Sequence, residues 1–185
     1  MSRSVVFALG FFLLTTVAFA QVPTSGNVFV GYSYMSADLP GGRANLNGWN
    51  ASVEGKVLPL LGIVADFSGN YGSQNPPQFT SCPGGALGLS CSVHEENYLF
   101  GPRLGFSIGK FRPFVHGMVG VGHINESAGG FSGSDTSLAD ALGGGIDYHL
   151  IPLVSWRVQV DALQTRFFGG TQENIRISTG ITFHF

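Results

Sequence analysis

Five histidines, two cysteines and a set of charged residues on alternating positions are the side chains of this sequence with chemistry to offer. The histidines stand at 94, 116, 123, 149 and 184. His123 with Ser127, or His149 with Ser155, has the residue types for base-assisted acyl transfer, in which imidazole takes the hydroxyl proton. No acidic third member stands at a recognisable spacing, and no histidine pair has the spacing of a metal site. No catalytic residue, cofactor or metal is therefore expected. Cys82 and Cys91 are the only cysteines. Close together in a chain read below as exported, they are expected to close a disulfide within one loop.

The largest constellation is ionic. Glu54, Lys56, Asp66, Arg103, Arg112, Asp147, Arg157, Asp161 and Arg176 each fall opposite an apolar residue in a two-residue alternation. Five bases and four acids nearly cancel. Enclosed together they would have to pair, because an unpaired buried charge is costly. The expected arrangement is a polar plug. The alternative is a narrow ion path, which inward glycines such as Gly31, Gly62, Gly101, Gly105, Gly120, Gly143 and Gly145 would leave room for.

Such a set has to be positioned by strands. The last segment, NIRISTGITFHF from Asn174 to Phe185, puts Ile175, Ile177, Ile181, Phe183 and Phe185 on one face. Asn174, Arg176, Ser178 and His184 lie on the other, which is the period-two signature of an extended strand. The pattern recurs in Asn27–Met35, Gly48–Val57, Gly62–Tyr71, Asn97–Ile108, Arg112–Gly122, Leu138–Tyr148 and Val154–Leu163. Eight segments near the ~10-residue length of membrane-barrel strands follow. Pro102 inside the fourth predicts a bulge or rim position, since it has no N–H for the ladder. Asp140 breaks the apolar face of the sixth and is expected outside the hydrocarbon.

Connections alternate in length. Leu58–Leu61, Gly109–Lys110 and His149–Leu153 read as short turns, whereas 37–47, 72–96, 123–137 and 166–173 read as long loops. Short ends and long ends then occupy opposite rims. Outward aromatics sort likewise, with Tyr32, Tyr34, Trp49, Tyr71 and Tyr98 toward one rim and Phe106, Tyr148, Trp156, Phe183 and Phe185 toward the other. Two aromatic girdles are what the two interfaces of a bilayer select. The charges assigned to the long loops are Asp38, Arg43, Glu95, Glu96, Glu126, Asp135, Asp140, Arg166 and Glu173, a net acidic face.

The start of the chain sets the compartment. Arg3, an apolar run from Val5 to Val17, and Ala18-Phe19-Ala20 before Gln21 fit a cleaved secretory signal over Met1 to Ala20. Residues 21–185 are then one domain. The sequence has 28 glycines among 185 residues, 11% charged residues and a formal charge of −2, which gives no nucleic-acid footprint.

These residues carry a resemblance. AFA-Q at the cleavage site, NVFVGYSYMSAD, FGPRLGFSIG with RPFVHGMVGVG, ALGGGIDY, RVQVDALQTRF and the terminal RISTGITFHF resemble the small outer-membrane barrel family. That family includes the OmpA transmembrane domain, OmpX and the opacity-type surface proteins. The resemblance implies an all-β, eight-stranded antiparallel up-and-down transmembrane β-barrel in the bacterial outer membrane with both termini periplasmic. It implies that the barrel-insertion machinery reads Ile181, Phe183 and Phe185. Because the chain ends at Phe185, no peptidoglycan-binding domain is implied. Expected partners are outer-membrane lipid and lipopolysaccharide, with an extracellular ligand or host surface at the loops. The function so implied is non-enzymatic. A small low-conductance porin and a lipid A-modifying enzyme are the alternatives, and a soluble lipocalin-like barrel is the rival fold.

Overall fold

The computed structural model describes residues 25–39, 42–74, 90–128 and 130–185. The signal segment with Ala18, Ala20 and Gln21 lies outside these residues, as does Cys82. The proposed pairing of Cys82 with Cys91 therefore cannot be placed.

Period-two alternation produces eight strands: β1 (Gly26–Leu39), β2 (Gly42–Lys56), β3 (Leu61–Gln74), β4 (Cys91–Gly105), β5 (Phe111–Ala128), β6 (Phe131–Ile151), β7 (Val154–Thr165) and β8 (Gln172–His184). Each pairs antiparallel with its sequence neighbours. β8 returns to β1, with Asn27 opposite His184 and Ser36 opposite Ile175, and closes the barrel. Closure leaves no unpaired edge, the condition for strands to cross hydrocarbon. Gly26 and Phe185 exchange backbone hydrogen bonds of 2.9 and 3.1 Å, so the chain's carboxyl end lies at the rim of the short turns.

Of the two expectations for Pro102, a bulge is absent, and the residue lies three positions from the end of β4 on the short-turn side. It sits inside β4 facing outward, and β4 and β5 hold one register across it, Phe100 opposite Val119 and Arg103 opposite His116. The ladder skips Gly101 and Pro102 without a bulge. The irregularity falls instead between His149 and Ile151, where β6 meets β7.

Two of the long connections of the sequence reading, 37–47 and 123–137, are mostly strand among the described residues. β1 runs on to Leu39 and β2 begins at Gly42, while β5 and β6 continue to Ala128 and from Phe131. Between β7 and β8 only a short 3-10 turn, Phe167–Gly169, intervenes. At 18 and 21 residues, β5 and β6 are far longer than the ~10 residues a tilted strand needs to cross a bilayer.

The extensions reverse the polarity of the wall. Nearer the short-turn rim the outward residues are apolar, including Val30, Val53, Phe100, Val115, Leu142, Val160 and Ile177, all exposed. Inward of them lie buried polar residues such as Ser52, Glu54, His116, Gln159, Asp161, Arg176 and Ser178, with Phe29, Leu99 and Phe114 among them. Farther out, Ser36, Asn45, Asn47, His94, Asn125 and Thr136 face outward. There the interior is a buried apolar cluster of Met35, Ala37, Ala44, Leu46, Val93, Ile124, Leu163 and Phe167. The side-chain period of two never slips; only the polarity of the two faces exchanges. An apolar exterior suits lipid and a polar exterior suits water, so the exchange divides the wall into a lipid-compatible belt and a water-compatible collar.

Aromatic residues line that boundary as the sequence reading expects. Tyr34 donates to Asn45 Oδ1 at 2.8 Å, Tyr98 donates to Glu96 at 3.0 Å, and Tyr32 donates to Asn47. Each ring lies over the apolar wall with its hydroxyl aimed at the polar collar. Trp49 rests against Gly69, where an added Cβ would come within 2.8 Å of Nε1. At the opposite rim Trp156 donates to Thr179 at 2.9 Å, and Phe106, Phe111 and Phe183 are exposed around it.

Candidate functional site

Alternation along each strand aims the charged residues at one another. Arg176 on β8 is fully buried and holds Asp66 across the lumen at 2.8 Å and Asp161 on β7 at 2.7 Å. Its Nη1 also donates to Ser68 at 2.8 Å. Asp161 accepts from His116 Nε2 at 2.7 Å, while Arg103 Nε approaches His116 Nδ1 at 3.3 Å. A guanidinium only donates, so Nδ1 accepts and the proton of His116 sits on Nε2. The ring relays hydrogen bonding from Arg103 to Asp161.

Toward the short-turn rim, Arg103 reaches Glu54 at 3.3 Å, and Asn27 donates to the same carboxylate oxygen at 2.8 Å. Arg157 grips Asp147 with two hydrogen bonds of 2.6 and 2.8 Å and donates to Asn27 at 3.2 Å. The remaining Nη1 of Arg157 has no hydrogen-bond partner among the described residues. Its guanidinium carbon lies 4.8 Å from the Phe114 ring centre and 5.2 Å from that of Phe29, so ring faces take part of the charge. Lys56 and Arg112 stand at the edge, 3.7 and 3.9 Å from Glu54.

All nine charged residues read from the sequence as inward therefore meet in one network. Several members were not singled out by charge alone. Asn27, Asn50 and Gln159 donate to Glu54, Asp66 and Asp161, and His116 bridges two ion pairs. Their inward parity was the available signal. Two of the charges assigned to loops also belong inside: Glu95 and Glu126 are buried on β4 and β5. Burial pushes the Glu95 carboxyl up to about 7, with the Asn97 amide and Arg176 pulling the other way. Burial also raises that of Glu126. The rest of the loop charges lie on strands or, for Arg166, at the 3-10 turn. Asp140 faces outward near the polarity boundary and pairs with Arg166 at 3.1 Å.

The space beside the inward glycines Gly62, Gly143 and Gly145 is occupied by neighbouring side chains. The carboxylate of Glu54 occupies the position a Cβ on Gly62 would take, that of Asp161 fills the place at Gly143, and the Phe114 ring fills it at Gly145. These glycines make room for the network itself. Above it, Met35, Leu46, Ile124, Leu163 and Phe167 are at most 1% exposed and fill the outer part of the lumen.

Neither serine–histidine pair forms a reactive centre. His123 approaches Thr136 at 2.6 Å and Asn125 at 3.0 Å, with no bond to Ser127. His149 does meet Ser155 at 3.0 Å, yet His184 takes the other side of the same hydroxyl at 2.9 Å. Ser155 is completely buried, and Asp147 is committed to Arg157. A hydroxyl in that position has no approach for a substrate carbonyl. Among the described residues no cluster has the makings of a metal site.

Ile181, Phe183 and Phe185 face outward on the closing strand and its end.

No family model matches the chain, and no curated protein matches it. Solved structures do. Neisserial surface protein A superposes with a TM-score of 0.67 at 12% identity, over 85% of this chain and 96% of that one. Ail, the attachment invasion locus protein of Yersinia pestis, in complex with the heparin analogue sucrose octasulfate, gives 0.61 at 14% identity over 87% and 98%. The N-terminal β-barrel domain of Pseudomonas aeruginosa OprF gives 0.55 at 12% identity over 89% and 100%. The chain has the fold of the small outer-membrane barrels.

Proposed function

We propose that this protein is a non-enzymatic integral outer-membrane barrel whose sealed body carries a water-exposed collar for surface contacts. The observation that carries the reading is the exchange of polarity along an unbroken wall. A soluble lipocalin-like barrel keeps its polar face outward throughout and would expose no belt of Val115, Leu142 and Ile177. The short-turn rim and both chain ends are then periplasmic, and the collar faces the outside. The outward charges of the collar are Asp38, Glu96, Asp135, Asp140 and Glu173 against Arg43 and Arg166. This balance disfavours a sulfated polyanion of the kind bound to Ail and favours a cationic or neutral contact, or divalent cations shared with lipopolysaccharide. The terminal strand, with Ile181, Phe183 and Phe185 outward, supports recognition by the barrel-insertion machinery.

The test is fractionation followed by unheated and boiled gel electrophoresis. A protein in the outer-membrane fraction whose mobility shifts on boiling fits the proposal; a soluble fraction without a shift would overturn it. Lipid A of unchanged mass on overexpression is expected from the non-enzymatic reading.

A further inference from the structure

The ionic network stops short of the short-turn rim and leaves a mouth of about 620 Å³ there, between the 57–60 turn, the end of β4 and Phe185. Lys56 and Arg112 line it with side chains 14% and 15% exposed. Both lean on one oxygen of Glu54, at 3.7 and 3.9 Å, and the other oxygen is taken by Arg103 and Asn27. One carboxylate thus serves three cations, while Arg157 and Asp147 cancel each other. Among the described residues Glu54 is the one ionic partner of Lys56 and of Arg112, and neither forms an ion pair with the terminal carboxylate of Phe185. An ammonium with three donors and a guanidinium with five are left aimed into a half-enclosed space. The opposite walls are apolar, with Leu58, Leu60 and Phe106 each more than half exposed.

Two cations that share one carboxylate oxygen at 3.7 and 3.9 Å, over a polar floor and with apolar walls at the entrance, are complementary to an anion rich in acceptor oxygens. We propose that this mouth binds a phosphate group, with Lys56 and Arg112 as its donors. An Arg fork beside a Lys point charge matches a phosphate's spread of oxygens better than a single carboxylate, which Glu54 already supplies. The phosphate is either free or part of a lipid, and in the second case Leu58, Leu60 and Phe106 carry the first carbons of its chains. This goes beyond the sealed-barrel reading and does not depend on the collar.

Calorimetric titration of the folded protein in a maltoside detergent, which carries no phosphate, tests it with two probes. These are inorganic phosphate and dihexanoyl phosphatidylglycerol below its critical micelle concentration. Saturable binding of either is expected, weakened at least tenfold by Lys56→Gln with Arg112→Gln. Lipid binding at least tenfold tighter than phosphate identifies a lipid source, and similar affinities identify free phosphate. Glu54→Gln removes the competing carboxylate and should tighten binding, which keeps the test open should the double variant not fold. Absence of saturable binding in a wild-type protein that still shifts on boiling would overturn this proposal and leave the barrel reading standing. Unchanged affinity in the folded double variant, or affinity not raised in Glu54→Gln, would overturn it as well.

Discussion

At the scale of single residues, Arg176 shows how an interior can be charged and still stable. Its guanidinium lies between Asp66 and Asp161, so its removal strands two buried carboxylates. Breaking a buried pair by deleting one partner costs about 3 to 5 kcal/mol. Arg176→Gln should therefore lower the urea midpoint of the folded, heat-shiftable species by that equivalent, whereas Arg166→Gln, at an exposed pair, should change it by less than about 1 kcal/mol. Glu95 predicts a pH effect. Its folded pKa of about 7 lies above the ordinary 4.5, so the fold holds the proton more tightly than the unfolded chain. The stability this contributes is complete below about pH 4.5 and lost as pH rises through 7. Glu95→Gln should be near neutral at pH 4.5 and stabilising by on the order of 3 kcal/mol above pH 8. Urea titrations at the two pH values, with no difference between them, would refute that account.

At the scale of the strand, period two was fully legible and its meaning only partly so. Val28, Val30 and Tyr32 against Phe29, Gly31 and Ser33 identify β1 and its lipid face without a structure. The next residues, Met35 to Asp38, keep the same period with the apolar members inward, and a reading that looks for one apolar face ends the strand at Met35 and assigns Ala37 and Asp38 to a loop. The same reversal hid Ala44 and Leu46 on β2, Val93 on β4 and Ile124 on β5. Pairing across the barrel was not legible either, since nothing local in β3 and β8 says that Asp66 will meet Arg176. The reversal is testable with arginine as a probe of depth. Val115→Arg, on the lipid belt, should cost roughly 2 to 4 kcal/mol, and Asn125→Arg, ten residues along the same strand and also outward, roughly 0 to 1 kcal/mol. Equal costs in bilayer refolding titrations would contradict the boundary drawn here. Phe185 belongs to this scale too, since it closes β8 onto Gly26. Its deletion should reduce the amount reaching the outer membrane more than the stability of what is assembled, as quantitative fractionation beside urea unfolding would show.

At the scale of the whole molecule, the lumen is filled in two layers, an ionic one below and above it an apolar one that also encloses Glu95 and Glu126. The small-porin alternative requires a continuous water path, and Met35, Leu46, Ile124, Leu163 and Phe167 stand across it. Barrels of eight strands are narrow enough for side chains to fill them. Reconstituted in a planar bilayer, the protein should show no discrete conductance steps; steps that vanish on enlarging Ala139 or Ala141 would instead reveal a pathway through the apolar layer.

The collar carries one more implication, for time rather than for shape. In the proposed outer-membrane orientation Asp38, Glu96, Asp135, Asp140 and Glu173 would each cross the hydrocarbon once as the barrel assembles, and again for it to leave. So placed, the collar would act as a ratchet, holding the orientation by a barrier to escape as well as by equilibrium stability.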